Sequence, residues 1–258
     1  MGNTNLVGHL HRLIAFDLDG TLVDSRRDLA DSANELIAEL GGSPLSEDAI
    51  ARMVGEGAAL LVRRALAAAG VTDVGAAFAD ATAPRGALAR FLEIYDSRLL
   101  RHTNVYPGVT EVVQFARTLG RVAVLTNKPL APSERILEGL GIRDLFDLVT
   151  GGDGPLPRKP DPAGLEALMR GAGATPDTTL LVGDSAIDHE TAVRAGVRCC
   201  LVAFGFGYET FPQERLRGAA DASAPTDAVA ADAGELRSLL AKFAGETDGY
   251  FVRLNGSS

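Results

Sequence analysis

Asp17 and Asp19 stand one residue apart in DLDGT, directly after the apolar run LIAF at 13–16. An extended backbone there projects both carboxylates to one side. Two carboxylates held this close resist joint ionisation unless a cation joins them or one keeps its proton. Magnesium accepts carboxylate, carbonyl and phosphate oxygens, and it would offset the repulsion between an incoming phosphate and a carboxylate nucleophile. In that arrangement Asp17 attacks phosphorus to give an aspartyl-phosphate. Asp19 protonates the leaving alcohol and later takes a proton from the attacking water. Taken alone, the motif also fits a carboxylate pair at a strand-to-turn junction that caps a helix.

Three later segments carry matching chemistry. At the end of VAVLT, the Thr126 side chain and the amides of Thr126 and Asn127 are expected to donate to phosphate oxygens, although Thr followed by Asn is also ordinary turn chemistry. Lys159 lies in RKPDP, where Pro160 and Pro162 stiffen the backbone. A lysine held there would neutralise the nucleophile and the transferring phosphoryl group; an exposed loop lysine is the plainer alternative. VGDSAID supplies Asp184 at a strand end and Asp188 four residues later. Asp184 would bind the cation directly, and Asp188 would either bind it through water or orient Lys159, unless the pair serves as a helix cap.

These residues need a scaffold that brings strand ends together. LIAF (13–16), VAVLT (122–126), FDLVTGG (146–152), TLLVGD (179–184) and RCCLVAF (198–204) read as strands, with helical apolar spacing between them, as in Val109, Val112, Val113, Ala116 and Leu119. Alternating strand and helix implies a three-layer α/β core with a parallel, Rossmann-like sheet, whose ligands gather at the C-terminal strand edge. Residues 25–102 break the rhythm: stripes at Leu29, Ala33, Leu36, Ile37 and Leu40, at Leu60, Leu61 and Leu66, and at Leu88, Phe91, Leu92, Tyr95 and Leu99 imply helices with no convincing strand. The expected division is a catalytic core of 1–24 plus 103–258 and a helical cap domain of 25–102 inserted after the first strand, with YPGV (106–109) marking re-entry. The Ala-rich stretch 218–233 and the segment from Glu209 onward have no assigned role.

The bulk properties agree with a small anionic substrate bound at a local positive site. The chain has 258 residues, 46% of them hydrophobic, and 25 Lys+Arg against 34 Asp+Glu for a formal charge of −9, which opposes generic attraction to nucleic acid or anionic membrane. No run approaches the roughly 20 apolar residues of a membrane span, and MGNTNLVGHLHR lacks the apolar centre of a signal peptide. Adjacent Cys199 and Cys200 should point to opposite sheet faces and suit a reducing, cytoplasmic setting. A monomer or homodimer is expected.

The ordered set DLDGT at 17–21, Thr126, Lys159 and GDSAID at 183–188 resembles the four motifs of the haloacid dehalogenase superfamily. The likeness spans nearly the whole chain. It implies Asp17 as nucleophile, Asp19 as acid/base, and Mg2+ held by Asp17, Asp184 and the main-chain carbonyl of Asp19, with the helical insertion as the first-type cap. Dehalogenase and phosphonatase members lack aspartate at the position of Asp19, so its presence implies phosphoryl transfer. FDLDGTLVDS, the Gly55 and Gly57 pair, LTNKP, GGDGPLPRKPDP and VGDS are similar to bacterial phosphoglycolate phosphatases, implying a small, highly charged phosphate monoester. Gly55 and Gly57 then face the substrate from a cap loop, or simply punctuate that loop. Arg52, Arg63 and Arg64 would meet a substrate carboxylate or lie on a solvated helix face. The same motifs leave room for a phosphosugar mutase, for a phosphatase acting on nucleotides, sugar phosphates or pyrophosphate, and for a non-catalytic binding module.

Overall fold

LIAF forms β1 (Leu13–Phe16), all four residues of which are buried, as expected for a strand covered on both faces. A computed structural model of the chain describes residues 11–71, 86–217 and 227–255. The first ten residues and the 218–226 part of the Ala-rich stretch lie outside the described residues. The other strands are β2 (Val23–Asp24), β3 (Asn104–Val105), β4 (Arg121–Leu125), β5 (Leu148–Thr150), β6 (Thr179–Gly183), β7 (Arg198–Val202) and β8 (Ala228–Ala230). Six of them form one sheet in the order β5-β4-β1-β6-β7-β8, parallel throughout. Ile14 sits opposite both Val122 and Leu180, which places β1 at the centre.

After β1 the chain makes β2 and then, among the described residues, the helices α1 (Arg26–Glu39), α2 (Glu47–Ala51), α3 (Ala58–Ala68) and α4 (Ala87–Asp96), before returning through β3. β2 and β3 close this helical insertion as an antiparallel ribbon, with Val23 opposite Val105. Buried Asp28 on α1 fastens the return, because its carboxylate accepts from the amides of His102 and Thr103 and from the Thr103 hydroxyl at 2.7–3.1 Å. Among the described residues the insertion contains no strand. The expected stripe on α1 is buried at Leu29, Ala33, Leu36 and Ile37, but Leu40 falls just past the helix end and is exposed.

Helices α5 (Val109–Leu119), α6 (Leu130–Gly139), α7 (Ala163–Ala172), α8 (Ala186–Ala195) and α9 (Ala233–Asn255) complete the layers. Alternation along the strands sends Ile14, Phe16, Val124 and Cys200 to one face, where they join the apolar sides of α5, α6 and α9. Leu13, Ala15, Leu125 and Cys199 face α7 and α8. The adjacent cysteines thus lie on opposite faces, both free and buried. The observed strands at 148–150 and 198–202 are shorter than their apolar runs of 146–152 and 198–204. The segment after Glu209 supplies the edge strand β8 and the covering helix α9.

Candidate active site

The C-terminal ends of β1, β4 and β6 and the loop before α7 bring Asp17, Asp19, Thr126, Asn127, Lys159, Asp184 and Asp188 to one end of the sheet. The Asp17 amide continues the central ladder by donating to Val182 O at 2.9 Å. Carboxylate oxygens of Asp17, Asp184 and Asp188 lie within 4.8 Å of one another, and Lys159 Nζ stands 2.8 Å from Asp17 Oδ1 and 2.6 Å from Asp188 Oδ1. All four side chains are buried. Burial pushes the Asp17 carboxyl up to about 7; Lys159 pulls it down and the Asp188 charge pushes it up further. Burial, then Asp188 and Asp17, raise Asp184 well above the usual carboxylate range. For Lys159, burial works against the charge, but Asp17 and Asp188 outweigh it and hold the ammonium protonated.

This donor set fits a hard divalent cation. Asp17 Oδ1 is buried and has no hydrogen bond of acceptable alignment, even with Lys159 close by. A cation would satisfy that oxygen and relieve the repulsion that raises both Asp17 and Asp184. The Asp19 main-chain carbonyl accepts no hydrogen bond from a described residue. Asp188 is already occupied: Oδ1 accepts from Lys159, and Oδ2 accepts from Ser185 Oγ at 2.6 Å and from the amides of Ser185 and Asp184 at 3.1 and 3.3 Å. Of the two roles expected for Asp188, its geometry favours orientation of Lys159. Ser185 and Asp188 also form a capping box on α8, so the cap reading of this motif and its site reading coexist.

Gly20 shows why the turn after Asp19 needs glycine. Its φ is +85°, and a Cβ there would come within 1.9 Å of Asp184 Oδ2.

The Thr126 amide corrects one expectation. It donates to Thr150 O on neighbouring β5 at 3.0 Å and is therefore committed to the sheet instead of to phosphate. The Thr126 hydroxyl accepts from the Lys128 amide at 3.2 Å, which leaves its own proton to donate. Asn127 uses its side-chain amide to bridge Gly55 O and Lys159 O at 2.8 and 2.9 Å, tying the insertion to the Lys159 loop. The Asn127 main-chain amide donates to no described residue. Gly55 and Gly57 both line the cavity and adopt φ values of +113° and +91°. None of Arg52, Arg63 and Arg64 lines it; the first two are exposed and Arg64 pairs with Glu56 at 2.5 Å.

Three residues of this site escape sequence reasoning. Lys128 Nζ donates to both oxygens of Asp19 at 3.0 and 2.9 Å and lies 4.6 Å from the centroid of the Tyr95 ring. Ser25 Oγ donates to Asp19 Oδ1 at 2.5 Å. Tyr95, on α4, lines the cavity, yet its buried hydroxyl has no hydrogen-bond partner. Burial pushes that phenol up to about 12, so it is a neutral donor at physiological pH. Lys128 was within view as the third residue of the TNK run, but nothing in the sequence shows that it turns toward Asp19.

The cavity between sheet edge and insertion encloses about 680 Å³ including its mouth. Its floor carries Asp17, Asp19, Thr126 and Asp184; its roof is apolar, with Leu29, Leu61, Phe91 and Leu92. An acidic floor of this kind takes an anionic group only through a bound cation or a neighbouring ammonium, while the apolar roof of the insertion limits the water above.

Comparison with known proteins agrees with this arrangement. The family described as haloacid dehalogenase-like hydrolase matches residues 14–202. A phosphoglycolate phosphatase of Rhodospirillum rubrum is 46% identical over 199 residues, covering 77% of this chain and 82% of that protein. One from Pseudomonas putida is 41% identical over 203 residues, covering 78% and 72%. A crystal structure described as a predicted phosphoglycolate phosphatase from Haemophilus somnus superposes with a TM-score of 0.76 at 29% identity, over 88% of this chain and 97% of that one.

Proposed function

The chain belongs to the haloacid dehalogenase-like hydrolases, and from that premise we propose that it is a phosphatase for a small phosphate monoester, with 2-phosphoglycolate as first candidate. The names of its relatives support the substrate. The chemistry rests on one observation: a buried carboxylate, Asp17, has an unsatisfied oxygen beside a fixed ammonium, with a second carboxylate two residues away.

Asp17 attacks phosphorus and the P–O bond to the leaving group breaks, giving an aspartyl-phosphate. Asp19 gives a proton to the departing oxygen, then takes one from the water that releases phosphate and regenerates Asp17. Lys159, held by Asp188, neutralises Asp17 and the phosphoryl oxygens as they approach. The Thr126 hydroxyl and the Asn127 amide donate to the phosphoryl group. Mg2+, which Asp17, Asp184 and the Asp19 carbonyl would hold, supplies the remaining charge neutralisation.

The insertion, residues 25–102, acts as the cap over a core of 1–24 and 103–258; the lashing of Asp28 to His102 and Thr103 lies at its join. Two free cysteines and a charge of −9 support a cytoplasmic enzyme of small metabolites that does not bind nucleic acid. No described helix is long and apolar enough to cross a membrane.

The test is a panel of phosphate esters with Mg2+ that includes 2-phosphoglycolate, nucleotides, pyrophosphate and sugar phosphates. Phosphate release should be fastest from 2-phosphoglycolate. Turnover of none of the panel would overturn the phosphatase reading, and isomerised sugar phosphate without phosphate release would make the protein a mutase.

A further inference from the structure

The cavity contains one feature that phosphate chemistry does not use. Above the acidic floor, Lys128 is the one cationic side chain lining the cavity among the described residues. Lys159 is committed to Asp17 and Asp188. Lys128 is itself buried, with its ammonium between the Asp19 carboxylate and the Tyr95 ring. An ammonium has three protons to donate, and Asp19 accepts at 3.0 and 2.9 Å. Beside it the Tyr95 hydroxyl, on a residue only 3% exposed, has no partner. A buried donor without an acceptor is costly unless something supplies one. Other roof residues, Leu29, Leu61, Phe91 and Leu92, offer no polar group to a polyol or a base.

We propose that Lys128 and Tyr95 form a subsite for a carboxylate on the leaving group, so that this enzyme selects short phosphorylated hydroxy acids over neutral esters and sugar phosphates. The inference rests on the phosphatase reading above and names the residues that would choose the substrate. Charge supports it: phosphate and carboxylate together enter a site floored by Asp17, Asp19 and Asp184, and a carboxylate without its own cation would be repelled there. Geometry also limits the spacer. Asp19 must reach the leaving oxygen within hydrogen-bond range, and Lys128 stands one hydrogen bond beyond Asp19. The leaving oxygen and the Lys128 ammonium are therefore within about 6 Å of each other, a gap that a carboxylate one or two carbons from the leaving oxygen can bridge.

The experiment compares kcat/KM for 2-phosphoglycolate with that for its neutral amide, in wild type, Lys128→Met, Lys128→Arg and Tyr95→Phe. The ratio of the two substrates is the readout, because loss of a partner for Asp19 alters turnover of both. Wild type should prefer the acid by about 100-fold, the upper range of what one charge-assisted hydrogen bond contributes. Lys128→Met should bring the ratio below about 5-fold, mostly through KM, and Tyr95→Phe, which removes one neutral hydrogen bond, should lower it by about 10-fold. Lys128→Arg, which keeps the charge, should retain most of the preference. If Lys128→Met does not fold, Tyr95→Phe decides, since it removes only a hydroxyl without a partner. A preference that neither Lys128→Met nor Tyr95→Phe moves would overturn this inference alone. Equal rates on both substrates in wild type would overturn it together with the phosphoglycolate assignment, and no hydrolysis of any ester would overturn the phosphatase reading beneath both.

Discussion

Asp184 and Asp188 lie four residues apart, both buried, yet neutralising them should move the stability of the metal-free protein in opposite directions. Asp188 is fully buried and accepts from Lys159 with one oxygen and from Ser185 and the Asp184 amide with the other. In Asp188→Asn the new amide must turn its NH2 either toward the Lys159 ammonium or toward the Ser185 and Asp184 donors, so one set faces another donor in both orientations. Breaking a buried, hydrogen-bonded ion pair costs about 3–5 kcal/mol. At about 2–4 °C per kcal/mol for a chain of this size, Tm should fall by roughly 10 °C. Asp184 differs, because burial and two neighbouring carboxylates disfavour its charge. The Gly207 amide donates to its Oδ2 at 2.7 Å, and an asparagine oxygen keeps that bond. In EDTA, Asp184→Asn should therefore be at least as stable as wild type. With Mg2+ at about 100 times its Kd, wild type should gain about 2.7 kcal/mol, a gain Asp184→Asn should lack. Thermal unfolding of the three proteins followed by circular dichroism, with EDTA and with Mg2+, measures these values. An Asp188→Asn Tm within about 2 °C of wild type, or an Asp184→Asn loss as large as that of Asp188→Asn, would refute this account of the charges.

The raised Asp17 carboxyl makes metal-free stability depend on pH. Its folded pKa of about 7 exceeds the ordinary 3.8, so its contribution is fully present below the lower value and is lost as pH rises through the higher one. Between those limits wild type in EDTA should lose up to about 4 kcal/mol that Asp17→Asn does not lose, about 2.5 kcal/mol of it between pH 5 and pH 8, where urea unfolding checks it; parallel pH profiles would be contrary. Gly20→Ala should abolish phosphate release and cost about 2 kcal/mol or more, through a positive φ and a Cβ 1.9 Å from Asp184 Oδ2; activity assay and unfolding read both. Replacing Mg2+ with Ca2+ should nearly stop phosphate release while still raising Tm, because the looser coordination of calcium fills the carboxylate cluster and misplaces the nucleophile.

Strand ends were the most legible part of the sequence. Apolar runs that stop at Asp17, Thr126 and Asp184 announce a parallel sheet and the edge where its ligands collect, and β1, β4 and β6 do lie side by side. What the sequence concealed depends on which strands are neighbours and where long side chains turn. The Thr126 amide looked free because the adjacency of β5, which brings Thr150 O to it, is a property of the sheet order. Lys128 meets Asp19 across 109 residues, and Tyr95 reaches them from a separate helix. β8 is only three residues long and lies inside the Ala-rich stretch 218–233, so its pairing with β7 left no periodic signal.

The central claim is that Asp17 carries the phosphoryl group. Acid quenching of the enzyme during turnover of 2-phosphoglycolate with Mg2+, followed by mass spectrometry of its peptides, tests this directly. One phosphoryl group should be found on the Asp17 side chain in wild type, and Asp17→Asn should neither trap it nor release phosphate. Phosphate release by Asp17→Asn near the wild-type rate, or a phosphoryl group trapped on any other residue, would contradict the account.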